Sequence, residues 1–111
     1  MVEVEKWDPE ALGPLDEAAV RRRFQPEGFY RISSSRHPAG TRVGGRSREV
    51  TRFVLEGDCR ISGDGYEATL VPGDFARFPG GEYVLETTAG VHLVKVWRLP
   101  PELRVVPARE D

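Results

Sequence analysis

Two histidines and one cysteine are the side chains of this sequence best suited to metal binding or nucleophilic catalysis. They are His37, His92 and Cys59, in a chain of 111 residues. No histidine follows Cys59 at a spacing typical of a nucleophile and its base, so Cys59 is interpreted as a buried structural thiol. Both histidines with Glu49 or Glu86 would make a rearranged metal site, but we interpret one histidine as a surface residue and the other as partly buried.

Acid–base catalysis is the second kind of chemistry that the sequence allows. Glu49 next to Arg48, or Glu86 together with His92, would supply an acid and a base for a metal-free isomerase or cyclase. Pairs of this kind are common in sequences, so the signal has low specificity. The sequence leaves open whether the chain is an enzyme, with Glu49, Glu86 and His92 as its catalytic candidates.

Arginine is unusually frequent among the basic residues. Fourteen of the sixteen basic residues are arginine, whose planar fork recognises carboxylate and phosphate groups through two hydrogen bonds, as lysine does not. A GC-rich genome, which favours arginine codons, would produce the same bias. The run of three arginines at positions 21–23 is interpreted as the solvated end of a helix rather than as an anion-binding patch.

The middle of the chain, residues 50–79, consists of apolar runs separated by turn signals. β-Branched, aromatic and aliphatic residues predict strands at residues 50–55, 59–62, 66–71 and 75–78. Glycine, proline and aspartate predict turns at residues 57–58, 63–65, 72–74 and 79–81. Strands that recur every eight to twelve residues or so indicate an antiparallel sandwich or small barrel.

The flanking segments add elements on both sides of this region. Further strands are predicted at residues 28–35, 82–88 and 91–97, with a loop at 37–48. Residues 15–24 predict a short helix, with acidic residues in the first turn and arginines in the last. The chain therefore divides into an N-terminal strand and helix (1–27), a barrel (28–99) and a C-terminal tail (100–111).

Composition excludes several classes of function. The formal net charge is −2, which gives no reason to expect nucleic acid or a membrane surface as a partner. The single cysteine rules out an internal disulfide and fits a reducing compartment. There is no membrane-length apolar run and no leader pattern, so a cytoplasmic location is expected.

Three turn motifs resemble those of the cupins. They are Val54-Leu55-Glu56-Gly57-Asp58, Leu70-Val71-Pro72-Gly73-Asp74 and Phe78-Pro79-Gly80-Gly81. A helix followed by Glu27-Gly28-Phe29-Tyr30 and Pro38-Ala39-Gly40-Thr41 is similar to the start of one group of small single-domain cupins. The resemblance covers about residues 28–99 and implies an all-β antiparallel jelly roll, an RmlC-like cupin barrel, with one short N-terminal helix. It also implies a homodimer, in which an edge strand within residues 1–12 often pairs across the interface.

The resemblance also implies where a metal would bind. In metal-dependent cupins two histidines, a glutamate and a further histidine hold Fe, Mn, Ni or Zn. The matching positions here are Arg46, Arg48, Val50 and Val84, and no choice of register restores a histidine. Arginine stays protonated and cannot ligate a metal. We therefore expect no metal and no other cofactor.

Strand alternation indicates what occupies the place of the metal. If Val50 faces the barrel interior, Arg52 does too, and if Val84 does, Glu86 does too. A buried charge needs a partner, so we predict an interior cluster of Arg52 and Glu86. A slip of one residue in either strand would exchange the two faces.

Other side chains would surround this cluster. We expect arginines at its mouth and aromatic residues that serve either as plain core or as a stacking wall for a ligand. The predicted ligand-binding residues are Arg46, Arg48, Arg52, Arg77, Tyr83 and Glu86, and Tyr66 and Trp97 are the other aromatic candidates.

Three functions remain open. The first is binding of a small, anionic molecule in the barrel, as an accessory or sensing protein. The second is a metal-free isomerase, epimerase or cyclase of a sugar or natural-product pathway, which would require an acid and a base facing each other across an open pocket. The third is a structural or dimerisation module, which would have a filled barrel.

Overall fold

The computed structural model describes residues 2–99, which form a β-sandwich with short helical segments near its N-terminus. The helical segments are α1 (Pro9–Leu12), α2 (Glu17–Phe24) and a 3-10 turn (Gln25–Glu27). The strands are β1 (Val4–Lys6), β2 (Tyr30–His37), β3 (Arg42–Ser47), β4 (Val50–Gly57), β5 (Cys59–Gly63), β6 (Tyr66–Leu70), β7 (Asp74–Phe78), β8 (Gly81–Glu86) and β9 (Val91–Arg98). The prediction of an all-β protein is confirmed, although helix is found in three segments rather than one.

Within residues 2–99 the strands form two antiparallel sheets that face each other. One sheet has the order β1-β7-β4-β9-β2, and the other has the order β3-β8-β5-β6. Strand β4 lies at the centre of the first sheet, where it pairs with β7 and with β9. The central stretch of the sequence therefore supplies the framework against which the other strands pair.

The main core lies between the two sheets and follows the alternation of each strand. On β4, Val50 and Val54 point into it and are almost fully buried, as the period of two requires. The facing strands contribute Ile61, Leu70 and Leu85, each at most 3% exposed. These residues fill the space between the two sheets.

A second core covers the outer face of the five-stranded sheet. Phe53, which points the opposite way from its neighbours on β4, stacks on Phe75 with ring centres 5.0 Å apart. Helix α2 packs Val20 onto this face. Asp16 caps the N-terminus of this helix, since its carboxylate accepts a hydrogen bond from the Ala19 amide at 2.7 Å. The N-terminal segment is thus part of the same folded unit as the barrel.

Glycine turns join the strands where the sequence predicts them. At Gly57, φ is +76° and an added Cβ would lie 1.8 Å from the Gly90 carbonyl oxygen, so a side chain there would force two turns apart. In the turn after Leu70, the Asp74 carboxylate accepts a hydrogen bond from the Val71 amide at 2.9 Å and pairs with Lys6. The cupin-like turn motifs therefore join consecutive strands of the fold.

One expectation from the sequence is wrong. Part of the predicted loop at residues 37–48 is strand β3, whose glycines and arginines have low β-propensity but whose backbone pairs with β8. Strand β1 pairs with β7 of its own chain, with Val4 opposite Ala76, and lies at the edge of the five-stranded sheet, so its expected pairing across a dimer stays a prediction. The tail predicted at 100–111 lies outside the described residues. No helix within residues 2–99 has the length and apolar character needed to cross a membrane.

Candidate functional site

A cavity of about 290 Å³ opens at one end of the barrel, between the start of β4 and the end of β9. Its described lining contains four basic residues and no acidic residue. The lining residues are Arg46, Ser47, Arg48, Val50, Arg52, Tyr83, Lys95 and Trp97. The cavity thus concentrates positive charge within a wall that is otherwise aromatic, aliphatic or neutral.

Arg52 is the buried charge of this cavity. It alternates with Val50 and Val54 on β4 and therefore points inward, as the sequence predicted, and it is 2% exposed. Its guanidinium carbon lies 5.1 Å from the ring centre of Phe78 and 4.7 Å from that of Tyr83. Burial lowers the pKa of Arg52, and the neighbouring Tyr83 partly opposes this shift. Among residues 2–99 its Nη1 atom has no hydrogen-bond partner.

Lys95 lies directly opposite Arg52 on the adjacent strand. The two residues are register partners in the β4–β9 pair, an arrangement that places Cβ atoms about 5 Å apart on the same face. Burial, and after it the charge of Arg52, lower the pKa of Lys95. Like charges that face each other across strands destabilise a sheet. The described cavity lining contains no acidic residue that would balance this pair.

The mouth of the cavity carries two more arginines and a tryptophan. Arg46 lies 4.0 Å from the Glu82 carboxylate, with both side chains exposed, and such a pair contributes little. Arg48 is exposed and forms no ion pair within the described part of the chain. The Trp97 ring has the Lys95 ammonium 6.0 Å from its centre. The predicted placement of Arg46 and Arg48 at the mouth agrees with this lining.

Glu86 does not join Arg52, and the predicted interior Arg–Glu cluster is wrong. Glu86 lies on the outer face of the four-stranded sheet, 3.3 Å from Arg42 and 3.1 Å from Arg60, and these arginines lower its pKa. On β8 it is Leu85 that reaches the core. The prediction failed because residues 83–85 are all apolar and do not show which face of β8 points inward. Val84 and Glu86 were expected to point inward, but Tyr83 and Leu85 do so instead.

The remaining predicted site residues lie outside the cavity. Arg77 points outward from β7, where its neighbours Ala76 and Phe78 occupy the core, and it pairs with Glu49 at 2.7 Å. Its predicted place at the mouth is therefore wrong. His92 is placed with its Nε2 atom 3.2 Å from the Ser34 hydroxyl on β2. The acid and base candidates therefore do not face each other across this cavity.

Glycines in neighbouring strands make room for the two tyrosines. A Cβ at Gly45 would lie 3.3 Å from the Tyr83 hydroxyl, and a Cβ at Gly63 would lie 2.5 Å from the Tyr66 ring. Tyr83 and Trp97 line the cavity as predicted. Tyr66 instead packs on Phe78, with ring centres 5.7 Å apart, so the stacking wall consists of two aromatic residues rather than three.

The interior does not fit the metal site that the fold implies. Val50 and Arg52 offer no ligand atom, and Val84, at the second-motif histidine position, lies out of phase with the inward residues Tyr83 and Leu85. Within residues 2–99 no three histidine, cysteine, aspartate or glutamate side chains are arranged to hold a metal. That no metal binds stays a prediction, which a direct binding experiment can test.

Cys59 is a free thiol in the core near the cavity. It is 3% exposed, and burial raises its pKa to about 11. A thiol with so high a pKa holds almost no thiolate at neutral pH and is a poor nucleophile. Its interpretation as a structural residue agrees with this environment.

Solved structures similar to this chain include several cupins. A cupin superfamily protein from Desulfitobacterium hafniense matches 90% of this chain and 79% of its own, with a TM-score of 0.58 and 14% identity. The cupin-2 domain of an XRE-family transcriptional regulator from Enterobacter cloacae matches 89% and 97%, with a TM-score of 0.58 and 18% identity. The chain has a cupin fold. A protein of unknown function from Rhizobium leguminosarum is 25% identical over 62% of this chain and 68% of its own, with a TM-score of 0.56.

Comparison of the sequence with known proteins does not indicate a function. No known protein family and no curated protein matches the chain. Because one fold supports many functions, the function has to be argued from the cavity itself. The RmlC-like subtype stays a prediction from the turn motifs.

Lys95 is the site residue that sequence reasoning missed. It shares the inward face of β9 with Val91 and Leu93, which are both in the core. The available signal was a lysine in phase with Val91 and Leu93, because alternation alone would have placed it on their face.

Proposed function

We propose that this chain is a metal-independent cupin-fold protein that binds a small anionic molecule in the 290 Å³ cavity, in an accessory or sensing role. The observation that carries the proposal is Arg52, which is 2% exposed and whose Nη1 atom has no partner within residues 2–99. Phe78 and Tyr83 face the guanidinium, but a buried donor atom left without a hydrogen bond still costs about 1–3 kcal/mol. A ligand carboxylate or phosphate at this guanidinium would supply the missing partner.

Charge and size together define the ligand class. Four basic residues line the cavity without an acidic one, so an anion gains from Arg52 and from Lys95, Arg46 and Arg48. The volume of about 290 Å³ equals that of roughly ten water molecules at ~30 Å³ each, which suits a small organic acid or phosphate ester. The faces of Tyr83 and Trp97 would contact its apolar part.

The alternative functions find less support in the cavity. The proposed acid–base residues Glu49, Glu86 and His92 are absent from its lining, which disfavours an isomerase or epimerase that uses them. An open cavity also differs from the filled barrel expected of a purely structural module. Homodimer formation and a cytoplasmic location stay predictions from the sequence.

A thermal-shift screen of the full chain tests the proposal. Small carboxylates and phosphates are compared with sodium chloride of equal ionic strength, since screening alone affects surface charges. A ligand at a hundred times its Kd stabilises by about 2.7 kcal/mol, or roughly 10 °C for a chain of this size. The Arg52→Gln variant should lose the shift, and Arg22→Gln, on the exposed side of α2, should keep it. An equal shift in Arg52→Gln, or no shift with any anion, would overturn the proposal.

A further inference from the structure

The two lysines of this chain have opposite surroundings. Every other basic residue is arginine. The Lys6 side chain is 70% exposed and pairs with Asp74. Lys95 is half-buried in the cavity, opposite Arg52, and forms no ion pair among the residues that the structure describes. The cavity thus contains an amine, a group whose chemistry differs from that of a guanidinium.

Partial burial of an amine beside a second cation is an environment that activates lysine as a nucleophile. A lysine attacks a carbonyl carbon only in its neutral form, which desolvation and a neighbouring positive charge both favour. Both causes act on Lys95 and lower its pKa. Arginine, which stays protonated, could not take this role.

We propose that Lys95 forms an imine with the carbonyl group of a small 2-oxo acid whose carboxylate is held by Arg52. The proposal rests on the anion site described above and names its ligand class. Arg52 and Lys95 are direct cross-strand partners on one face, with Cβ atoms about 5 Å apart. In a 2-oxo acid the carboxylate carbon is bonded directly to the carbonyl carbon. A carboxylate anchored at Arg52 therefore brings the carbonyl carbon beside Lys95, and such anchoring makes the addition effectively intramolecular.

The step balances without a cofactor. The lone pair of neutral Lys95 forms a C–N bond while the π electrons of the carbonyl group move to oxygen. The oxygen takes up the two amine protons and leaves as water, and a C=N bond replaces the C=O bond. Tyr83 lines the same cavity, and its phenol group can accept and donate a proton.

Reductive trapping of the full chain tests the proposal. The protein is incubated with pyruvate or 2-oxobutyrate and sodium cyanoborohydride, which reduces an imine to a stable amine, and the product is analysed by intact mass and peptide mapping. We expect one adduct per chain on Lys95, with less than about a tenth as much on Lys6, because only Lys95 has an anchored carbonyl group beside it. Propionate, an anion without the ketone, and acetone, a ketone without the anion, serve as matched controls and should give no comparable labelling.

Two variants separate this proposal from the proposed function. Lys95→Arg keeps the positive charge and should keep the thermal shift with pyruvate while losing the adduct. Arg52→Gln should lose the shift and most of the adduct. A thermal shift without an adduct would overturn the imine and leave anion binding intact. Equal labelling of Lys6 and Lys95, or undiminished labelling in Arg52→Gln, would overturn the anchored imine.

Discussion

Replacing Arg52 with methionine should make the protein more stable while destroying its anion site. Arg52 is 2% exposed, stands opposite Lys95 and has no hydrogen-bond partner on Nη1 within residues 2–99. Methionine is long enough to occupy the same space between two rings and carries no charge. Residues that bind ligands often lower the stability of the free protein. We expect Arg52 to lower it more than the other cavity residues do.

The size of the effect follows from the contacts of Arg52. Removing a buried charge recovers several kcal/mol of desolvation, roughly, and also removes the repulsion of Lys95. Against this, the cation–π contacts with Phe78 and Tyr83 are lost, worth about 2 kcal/mol or more when desolvated. Contacts of the methionine sulfur with the same rings restore part of this, about 0.3–1.5 kcal/mol each. We expect a net stabilisation of about 1–3 kcal/mol, or roughly 4–12 °C in Tm.

Urea denaturation followed by circular dichroism measures this change without a reporter in the cavity. Arg77→Met is the matched control, because the Arg77 side chain is 72% exposed and its substitution should change the free energy of unfolding by no more than about 0.5 kcal/mol. An Arg52→Met variant that is less stable than wild type by more than about 1 kcal/mol would refute the reasoning. Such a result would mean that the guanidinium is satisfied by the fold itself.

Four further results are expected. Gly63→Ala should destabilise by about 1–3 kcal/mol in urea denaturation, since its Cβ would lie 2.5 Å from the Tyr66 ring. The Cys59 thiol, with a pKa of about 11, should react with a thiol reagent at pH 8 only after unfolding, and its contribution to stability should fall as pH rises from about 8.5, the unfolded value. Lys95, whose pKa is lowered, binds its proton more weakly when folded, so its contribution should rise with pH up to about 10.4, and Lys95→Met should lack this rise. After incubation with Fe, Mn, Ni or Zn and desalting, elemental analysis should find no stoichiometric metal; one bound ion per chain would contradict the interpretation of the interior.

The strands and turns were predictable because local chemistry determines them. A turn such as Gly63-Asp64-Gly65 can be recognised from its residue types alone. The same holds for strand alternation, as at Val50, Arg52 and Val54. Strand β3 was not predictable, because its residues have low β-propensity and only its pairing with β8 makes it a strand.

The candidate site was predictable only where one apolar face identified the inward direction. Arg52 lies between two buried valines, so its orientation followed from alternation. On β8 three consecutive apolar residues left the phase undetermined, and Glu86 was assigned to the wrong face. The pairing of Arg52 with Lys95 depends on the register of β4 with β9, which no local pattern in either strand specifies.

Calorimetric titration of the most stabilising anion into wild type and Arg52→Gln tests the central claim most directly. Loss of a charge-assisted hydrogen bond costs about 1.5–3 kcal/mol, so Arg52→Gln should bind roughly ten to a hundred times more weakly. Arg22→Gln, altered on the exposed helix, should bind as wild type does. Unchanged affinity in Arg52→Gln would contradict the account, and its loss in Arg22→Gln would place the anion site on α2 instead.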